Sequence, residues 1–562
     1  MKKLINAAGD VVGDALDGLT RTAAGVARLA GSTTAIRADV AAVRAAGLVT
    51  LVSGGGAGHE PAHAGYVGDG MLTAAVSGEV FTSPSVDAVL DAIRAVASPG
   101  GVLLIVKNYT GDRLNFGLAA ELARAEGIES ETVVVADDVA LAAEGGAGRR
   151  GIAGTVLVHK VAGAAAAAGL GLAEVAARAR RAAGSVGTMG VALSPCTVPA
   201  AGQPGFFLDD GEVEWGLGIH GEPGVARGTL AAAREVVARL ADAIVADRGI
   251  AAGGRVAVLV NGLGATPPME LSIMADAAAR HLAERDIEVA RLWAGNFLTA
   301  LDMAGASLSL LPVDDELLAA LDAPTSAPAW PPGASAAEPA VVPAPPATRE
   351  AAGSLDGTDP VRRALEAVAE VLISARDELT ELDREVGDGD MGISLARGAA
   401  AILAECPEYP GAEGPGAVLR AASATVRRTV GGTSGPLYAV LLLRAASALP
   451  ATPSAADWAA AFQAGVAGVR EVGGAGPGDR TMVDALLPAA TTFADQVAAG
   501  VSGPEALDAA VAAAAAGAAG TSSVRARLGR SSYLGDRVLG HPDPGARAVA
   551  DWLGAVAAVV RK

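Results

Sequence analysis

The sequence predicts an α/β domain followed by an all-α domain, and three observations carry that prediction. Up to Asp322, short apolar, β-branched runs alternate with stretches of helical period, the pattern of an α/β architecture. Between residues 322 and 360 the composition turns to Pro and Ala (PTSAPAWPPGASAAEPAVVPAPPATRE), which cannot bury a core and reads as a semi-rigid linker. Beyond it the strand signal nearly vanishes, and helical periodicity broken by glycine-rich loops dominates. A chain of 562 residues is also too long for one core. The expected division is 1–322 α/β, 323–358 linker and 359–562 all-α.

In the first domain, residues 48–53 (LVTLVS), 102–106 (VLLIV), 132–136 (TVVVA) and 255–260 (RVAVLV) read as buried strands. Each ends in Gly, Asn or Asp, and ligands of open α/β sheets gather at those carboxyl ends. The first runs into Gly54, Gly55, Gly56, Ala57, Gly58 and His59. It is not a Walker A loop, because no Lys-Ser/Thr follows, and His59 stands where the third glycine of a dinucleotide fingerprint belongs. The loop reads as a cradle for something small, with His59 as polar contact or proton acceptor, or as a tight βα turn. The second strand ends in Lys107 and, a few residues on, Asp112, which is a candidate general base or a helix cap. Further along, His220 stands among four glycines in GLGIHGEPG. So little neighbouring bulk points to an accessible ring, and a neutral imidazole can attack a carbonyl carbon. His63, His159 and His281 have no comparable setting and receive no role.

In the second domain, Asp359-Pro360 is a helix start. Leu365, Val368, Leu372, Ala375, Leu379 and Leu382 then recur at helical steps and lead into ELDREVGDGDMGIS, residues 381–394. Glycines there let Asp388 and Asp390 fold back on Asp383. Three hard oxygen ligands suit Mg²⁺, and with it a nucleotide phosphate; a solvated acidic turn is the other reading. Ala-rich residues 511–519 read as a buried helix.

Composition excludes several classes. Aromatics are only 3%, so the cores must be built from Ala, Val and Leu. A net charge of −19 argues against a nucleic-acid partner and gives no reason to expect an anionic membrane. Cys196 and Cys406 form no disulfide framework or zinc site, and MKKLINAAGD holds no long apolar run, so a cytoplasmic location without a signal peptide is expected.

The motifs together resemble the dihydroxyacetone (glycerone) kinases. SGGGAGHEPAHAGYVG, IVKNYTGDRLNF, GRRGIAGTVLVHK, CTVPAAG, GLGIHGEPG and VNGLGATP are similar to that family's α/β substrate (K) domain. LDREVGDGDMG, GGTSGPLY, GDRTMVDAL and GRSSYLGDRVLGHPDPGA are similar to its all-α helical-barrel nucleotide (L) domain. Both domains on one chain resemble the ATP-dependent members. The resemblance implies phosphorylation of dihydroxyacetone by ATP, with His220 holding the ketose carbonyl as a covalent hemiaminal. Gly56, Ala57, Gly58, His59, Lys107 and Asp112 would line the substrate, Ala57 standing where many members have Ser. Asp112, with His59, would take the proton of the attacking hydroxyl. Asp383, Asp388 and Asp390 would hold Mg²⁺ ions on the ATP phosphates, with Met391, Gly392, Ile393 and Ser394 opening a helix towards them.

Thr433 and Ser434 lie in a second phosphate-type loop that a helix cap explains nearly as well. Gly473, Met482, Arg530, Asp543, Pro544 and Gly545 match nucleotide positions, with Arg525 and Arg527 competing with Arg530 as phosphate clamp. The resemblance further implies a homodimer in which the domains are exchanged. Kinases of erythrulose or glyceraldehyde, a nucleotide-cyclising side activity on FAD, and a non-catalytic co-regulator are the alternatives. The last predicts loss of His220, Asp112 or part of the aspartate triad, and all are present.

Overall fold

The computed structural model describes residues 2–141, 148–335, 339, 341–344 and 353–562. The chain forms two compact units, Met1–Val342 and Pro343–Lys562.

The first unit holds two six-stranded sheets. In one, strands Ala74–Val80, Thr50–Ala57, Val102–Lys107 and Ser130–Val135 lie side by side and parallel, with Thr34–Arg37 and Val26–Arg28 antiparallel at the edge. The second, mostly antiparallel, is centred on Arg255–Gly262, Gly305–Pro312 and Gly187–Ala192. The strands read as apolar runs because both faces are covered. Val52, Leu104 and Val106 pack with Phe116 and Ile93 on one face; Leu51, Leu103 and Ile105 join the core on the other. That second core also takes Leu259 from the other sheet and the helix Thr155–Ala167, in which residues 155–166 are all buried.

Two expectations change here. Gly54, Gly55 and Gly56 are strand rather than loop, since residues 52–57 pair with Ala74–Val80, and only Gly58 lies beyond the strand. A Cβ at Gly54 would collide with the Val76 carbonyl, and one at Gly56 would lie 2.6 Å from Thr82 N. These glycines admit the neighbouring backbone. The expected linker, 323–358, also begins as part of this unit. Ala327 and Trp330 are buried, Trp330 packs on Trp293 at 5.0 Å between ring centroids, and Trp293 Nε1 donates to the Pro331 carbonyl at 3.1 Å. A large aromatic ring outweighs the surrounding Pro/Ala composition. Residues 336–338, 340 and 345–352 of that stretch lie outside the described residues. At its far end Leu355 is buried in the core of the second unit.

The second unit has nine α-helices and no strand among its described residues. Eight pack in succession: Pro360–Ser374, Met391–Glu405, Pro415–Thr429, Ser434–Ala448, Ala455–Gly473, Val483–Ala498, Gly503–Gly520 and Pro544–Val560, the last against the first. They close a helical barrel around an apolar cavity of about 580 Å³ lined by residues such as Leu365, Ile402, Trp458, Phe462 and Trp552. The Ala-rich stretch lies in Gly503–Gly520 and buries Ala506, Ala510, Ala514 and Ala518, one per turn. Such small side chains allow close helix approach; a Cβ at Gly517 would collide with the Asp484 carbonyl. The ninth helix, Arg376–Val386, corrects an expectation. The apolar period from Leu365 to Leu382 predicts one helix, but the chain turns at Ala375. The period reads through the turn because Leu372 and Leu379 bury in the same core. No helix among the described residues is long and apolar enough to cross a membrane.

Candidate functional site

In the first unit, the strand order reverses direction between Thr50–Ala57 and Val102–Lys107, so their connections leave a crevice at the carboxyl ends. Gly55 and Lys107 face each other there. A Cβ at Gly55 would lie 3.0 Å from Lys107 Nζ and 3.5 Å from Asp112 Oδ2. Lys107 is fully buried, its ammonium has no partner among the described residues, and burial lowers its pKa. Asp112 lies in the first turn of the helix Thr110–Ala125, whose N-cap is Tyr109. Its Oδ1 accepts from the Ser83 hydroxyl, so the carboxylate is not a helix cap.

His59 is fully buried, and its Nδ1 donates to the Thr299 carbonyl at 2.7 Å. That bond fixes the tautomer and leaves Nε2 with a lone pair and no partner. Burial, then the charges of Lys107 and His220, push its pKa well below the ordinary range, so the ring is neutral and can accept a proton.

His220 comes to this same place. Its ring meets those of His59, Phe81 and Tyr109 edge-on, at centroid distances of 4.8, 5.1 and 4.7 Å. The sequence suggests little packing around His220; the structure instead cages the ring and leaves its side chain 20% exposed. Nδ1 lies 2.9 Å from Glu222 Oε1. Gly58 donates its backbone N–H to Glu60 at 3.0 Å, and Ala57 is buried beside it. Gly56 lies against residues 81 and 82.

Phe81, Ser83, Tyr109 and Glu222 are additions to the sequence reading. Phe81 stacks on His59 at 5.0 Å. Tyr109 and Glu222 lie inside motifs that pointed to the site. Phe81 and Ser83 carry no local signal, because they arrive only through the pairing of Ala74–Val80 with Thr50–Ala57. His63 and His159 form a buried pair at 3.0 Å, and His281 binds Asp242 at 2.6 Å.

In the second unit, carboxylate oxygens of Asp383, Asp388 and Asp390 all lie within 4.8 Å of one another. Asp383 lies in the last turn of its helix, half-fixed: Oδ2 accepts the backbone N–H groups of Asp390 at 3.0 Å and Met391 at 3.2 Å. Gly387 is required, since a Cβ there would collide with Asp383 Oδ1, and Gly389 turns the loop at φ 74°. A close set of hard oxygen donors fits Mg²⁺. Met391 and Gly392 begin the helix Met391–Glu405, Ile393 is 53% exposed, and Ser394 Oγ accepts the Gly431 N–H at 3.0 Å. That bond ties the aspartate loop to the second glycine loop. Thr433 precedes the helix Ser434–Ala448 without a side-chain cap bond.

The three competing arginines now separate. Arg525 forks onto Asp536, Arg527 sits 3.6 Å from Asp479, and Arg530 pairs with Asp388 in the triad. Gly545 lies about Met391 and Met482: its Cβ would meet Met391 Cε and Met482 Cβ, each at 3.5 Å. Asp543 caps the helix Pro544–Val560 through Ala546 N–H at 2.8 Å, and burial raises its pKa to about 6. Gly473, at the end of Ala455–Gly473, meets Leu437 and none of these residues. Arg480, absent from the sequence reading, is buried beside Asp543 and donates to the His541 carbonyl at 2.8 Å.

Residues 17–329 match the Dak1 domain and residues 385–558 the DAK2 domain. The crystal structure of the dihydroxyacetone kinase from C. freundii in complex with AMP-PNP and Mg²⁺ superimposes with a TM-score of 0.65, at 36% identity over 99% of each chain. The chain belongs to the dihydroxyacetone kinase family. Other family members are similar throughout. The triokinase/FMN cyclase of Homo sapiens is 44% identical, covering 100% of this chain and 99% of its own. The D-erythrulose kinase of Mycolicibacterium smegmatis is 39% identical over 90% of both. The α/β and all-helical units match the family's K and L domains, and the family is one of ATP-dependent small-sugar kinases.

Proposed function

We propose that the protein transfers the γ-phosphate of ATP to dihydroxyacetone, held as a hemiaminal on His220. The observation that carries this reading is the convergence of His220, His59, Lys107 and Asp112 in one crevice. The His220 Nε2 lone pair forms the bond to the carbonyl carbon, the C=O π pair moves to oxygen, and that oxygen takes a proton. Glycerol, of similar size but without a carbonyl, cannot be captured. Asp112 and His59 accept the proton of the hydroxyl that attacks phosphorus. Gly56, Ala57, Gly58 and Lys107 line the ketose.

Asp383, Asp388 and Asp390 would hold a pair of Mg²⁺ ions, which when bound supply charge neutralisation of the phosphates. In this reading Met391, Gly392, Ile393 and Ser394 at the helix start, the hydroxyls of Thr433 and Ser434, and Arg530 would contact phosphate oxygens. Gly473, Met482, Asp543, Pro544 and Gly545 complete the nucleotide site in this reading; a Cβ at Gly473 would lie 3.1 Å from Leu437.

Coupled ADP release across dihydroxyacetone, glyceraldehyde, both erythruloses and glycerol tests the substrate. The highest kcat/KM is expected on dihydroxyacetone and none on glycerol; turnover of glycerol overturns carbonyl capture. A preference for erythrulose or glyceraldehyde is the second reading, and the name of the M. smegmatis relative, a D-erythrulose kinase, supports the erythrulose part of it. A homodimer with exchanged domains is part of the proposal, on the family resemblance. Mixing inactive His220→Ala and Asp383→Ala chains then restores turnover. A cytoplasmic location is supported by two free cysteines.

A further inference from the structure

Glu222 closes the loop that carries His220. Its two carboxylate oxygens take two donors from the same residue: Oε1 lies 2.9 Å from His220 Nδ1, and Oε2 accepts the His220 backbone N–H at 3.0 Å. The loop is shaped around this grip. A Cβ at Gly218 would collide with Oε2, and the Gly218 N–H donates to the Glu222 carbonyl at 3.3 Å. Burial alone would raise the Glu222 pKa, but the hydrogen bonds and charge of His220 hold it down at about 2. The side chain is therefore a carboxylate throughout the neutral range.

A carboxylate only accepts. His220 Nδ1 must then carry a hydrogen, and in the neutral ring the lone pair sits on Nε2. The rings of His59, Phe81 and Tyr109, standing 70°, 81° and 80° to the imidazole, hold its orientation. We propose that Glu222 is a positioning residue that fixes the nucleophilic tautomer of His220 and pairs with the imidazolium formed on carbonyl capture. The inference rests on the carbonyl-capture reading above. When the Nε2 lone pair forms the C–N bond and the carbonyl oxygen takes a proton from water, whose hydroxide leaves to bulk solvent, the ring is left with Nδ1–H and a positive charge. Glu222 is already hydrogen-bonded to that Nδ1, so the charge forms opposite a carboxylate placed in advance.

The substitution that isolates this role is Glu222→Gln. An amide has one oxygen and one NH₂, while His220 presents two donors. If the NH₂ faces Nδ1, the ring must move its hydrogen to Nε2 and loses the nucleophilic lone pair. If the NH₂ faces the backbone, the backbone N–H is left unpaired and the charge opposite the adduct is gone in either case.

The test uses the full-length chain labelled with ¹⁵N-histidine, with dihydroxyacetone as ligand. In the free wild type His220 is expected as Nδ1–H. In Glu222→Gln its signals shift towards Nε2–H, and the KM for dihydroxyacetone rises roughly ten- to a hundredfold while kcat at saturation falls less, as for a lost charge-assisted bond. The His220 adduct seen by mass spectrometry after trapping falls in proportion. Glu222→Asp, which keeps two acceptor oxygens, is expected to recover part of the loss. A merely structural role would lower the melting temperature without moving the tautomer. Wild-type His220 found as Nε2–H overturns the inference, and that spectrum decides the matter even if the Gln variant does not fold. An unchanged tautomer and KM in a folded Glu222→Gln overturns it as well. His220→Ala separates the two readings. If that variant still turns over dihydroxyacetone, carbonyl capture itself has failed; if it is inactive while Glu222→Gln is normal, only the role of Glu222 has.

Discussion

In the α/β unit, His59 and Lys107 are fully buried and Asp112 is nearly so, whereas in the helical unit Asp388 and Asp390 lie exposed and Arg530 is 64% exposed. The first site is held side chain by side chain: His59 on Thr299, Asp112 on Ser83, His220 on Glu222. The second is an open acidic loop held largely by backbone N–H groups on Asp383. The difference suits the ligands proposed for each. A small neutral ketose exerts no long-range field, so its groups would have to be met at contact by atoms placed beforehand. A polyphosphate carries its charge with it, and donors and carboxylates can engage it at a surface.

Five substitutions test that contrast, in order of expected effect. Asp383→Ala removes both a candidate metal ligand and the acceptor for two amides, and ATP turnover is expected to fall about a thousandfold or more. Asp388→Ala and Asp390→Ala should also cut turnover, but less, and full activity in all three removes the metal assignment. Asp112→Asn is expected to lower kcat about a hundredfold or more with ketose binding largely kept; an unchanged kcat moves the base role to His59. Ser83→Ala frees the Asp112 carboxylate to rotate and is expected to cost about tenfold in kcat, the worth of one charge-assisted hydrogen bond. If it costs nothing, the buried site does not depend on advance placement and the contrast weakens.

The smallest effect is on stability. Asp543 is buried with its pKa raised to about 6, above an unfolded value of roughly 3.9. A raised carboxyl favours the folded state below the unfolded pKa, and that contribution is lost as pH rises through the folded pKa. Asn can also cap the helix Pro544–Val560 and does not titrate. Relative to Asp543→Asn, the wild type should therefore lose up to about 3 kcal/mol between pH 4 and 6, read from urea midpoints of the helical unit. A parallel pair of curves would show that Asp543 is solvated and that this end of the nucleotide region is as open as the aspartate loop.

Much of the site was legible because its chemistry sits in short runs. His59, Lys107, Asp112 and His220 each lie in or just beyond a glycine-bearing stretch near a strand end, and Asp383, Asp388 and Asp390 fall within one loop. Local spacing alone makes the three aspartates neighbours. Ser83 and Phe81 were not legible, because nothing near them in the chain marks the strand pairing that delivers them. Trp330 was hidden by the Pro/Ala residues around it, and the turn at Ala375 by an apolar period that two helices facing one core preserve.

Read from the chain alone, the order of the two units, the strands, most helices and the candidate site residues are already in view. Those depend on residue period, turn chemistry and motif spacing, which act over a few residues. Tertiary structure alone decided that His220 meets His59, that Asp112 answers to Ser83 rather than capping its helix, and that Arg530 rather than Arg525 stands at the aspartate triad. It also decided the protonation of the buried groups, because desolvation belongs to a packed position and not to a residue type.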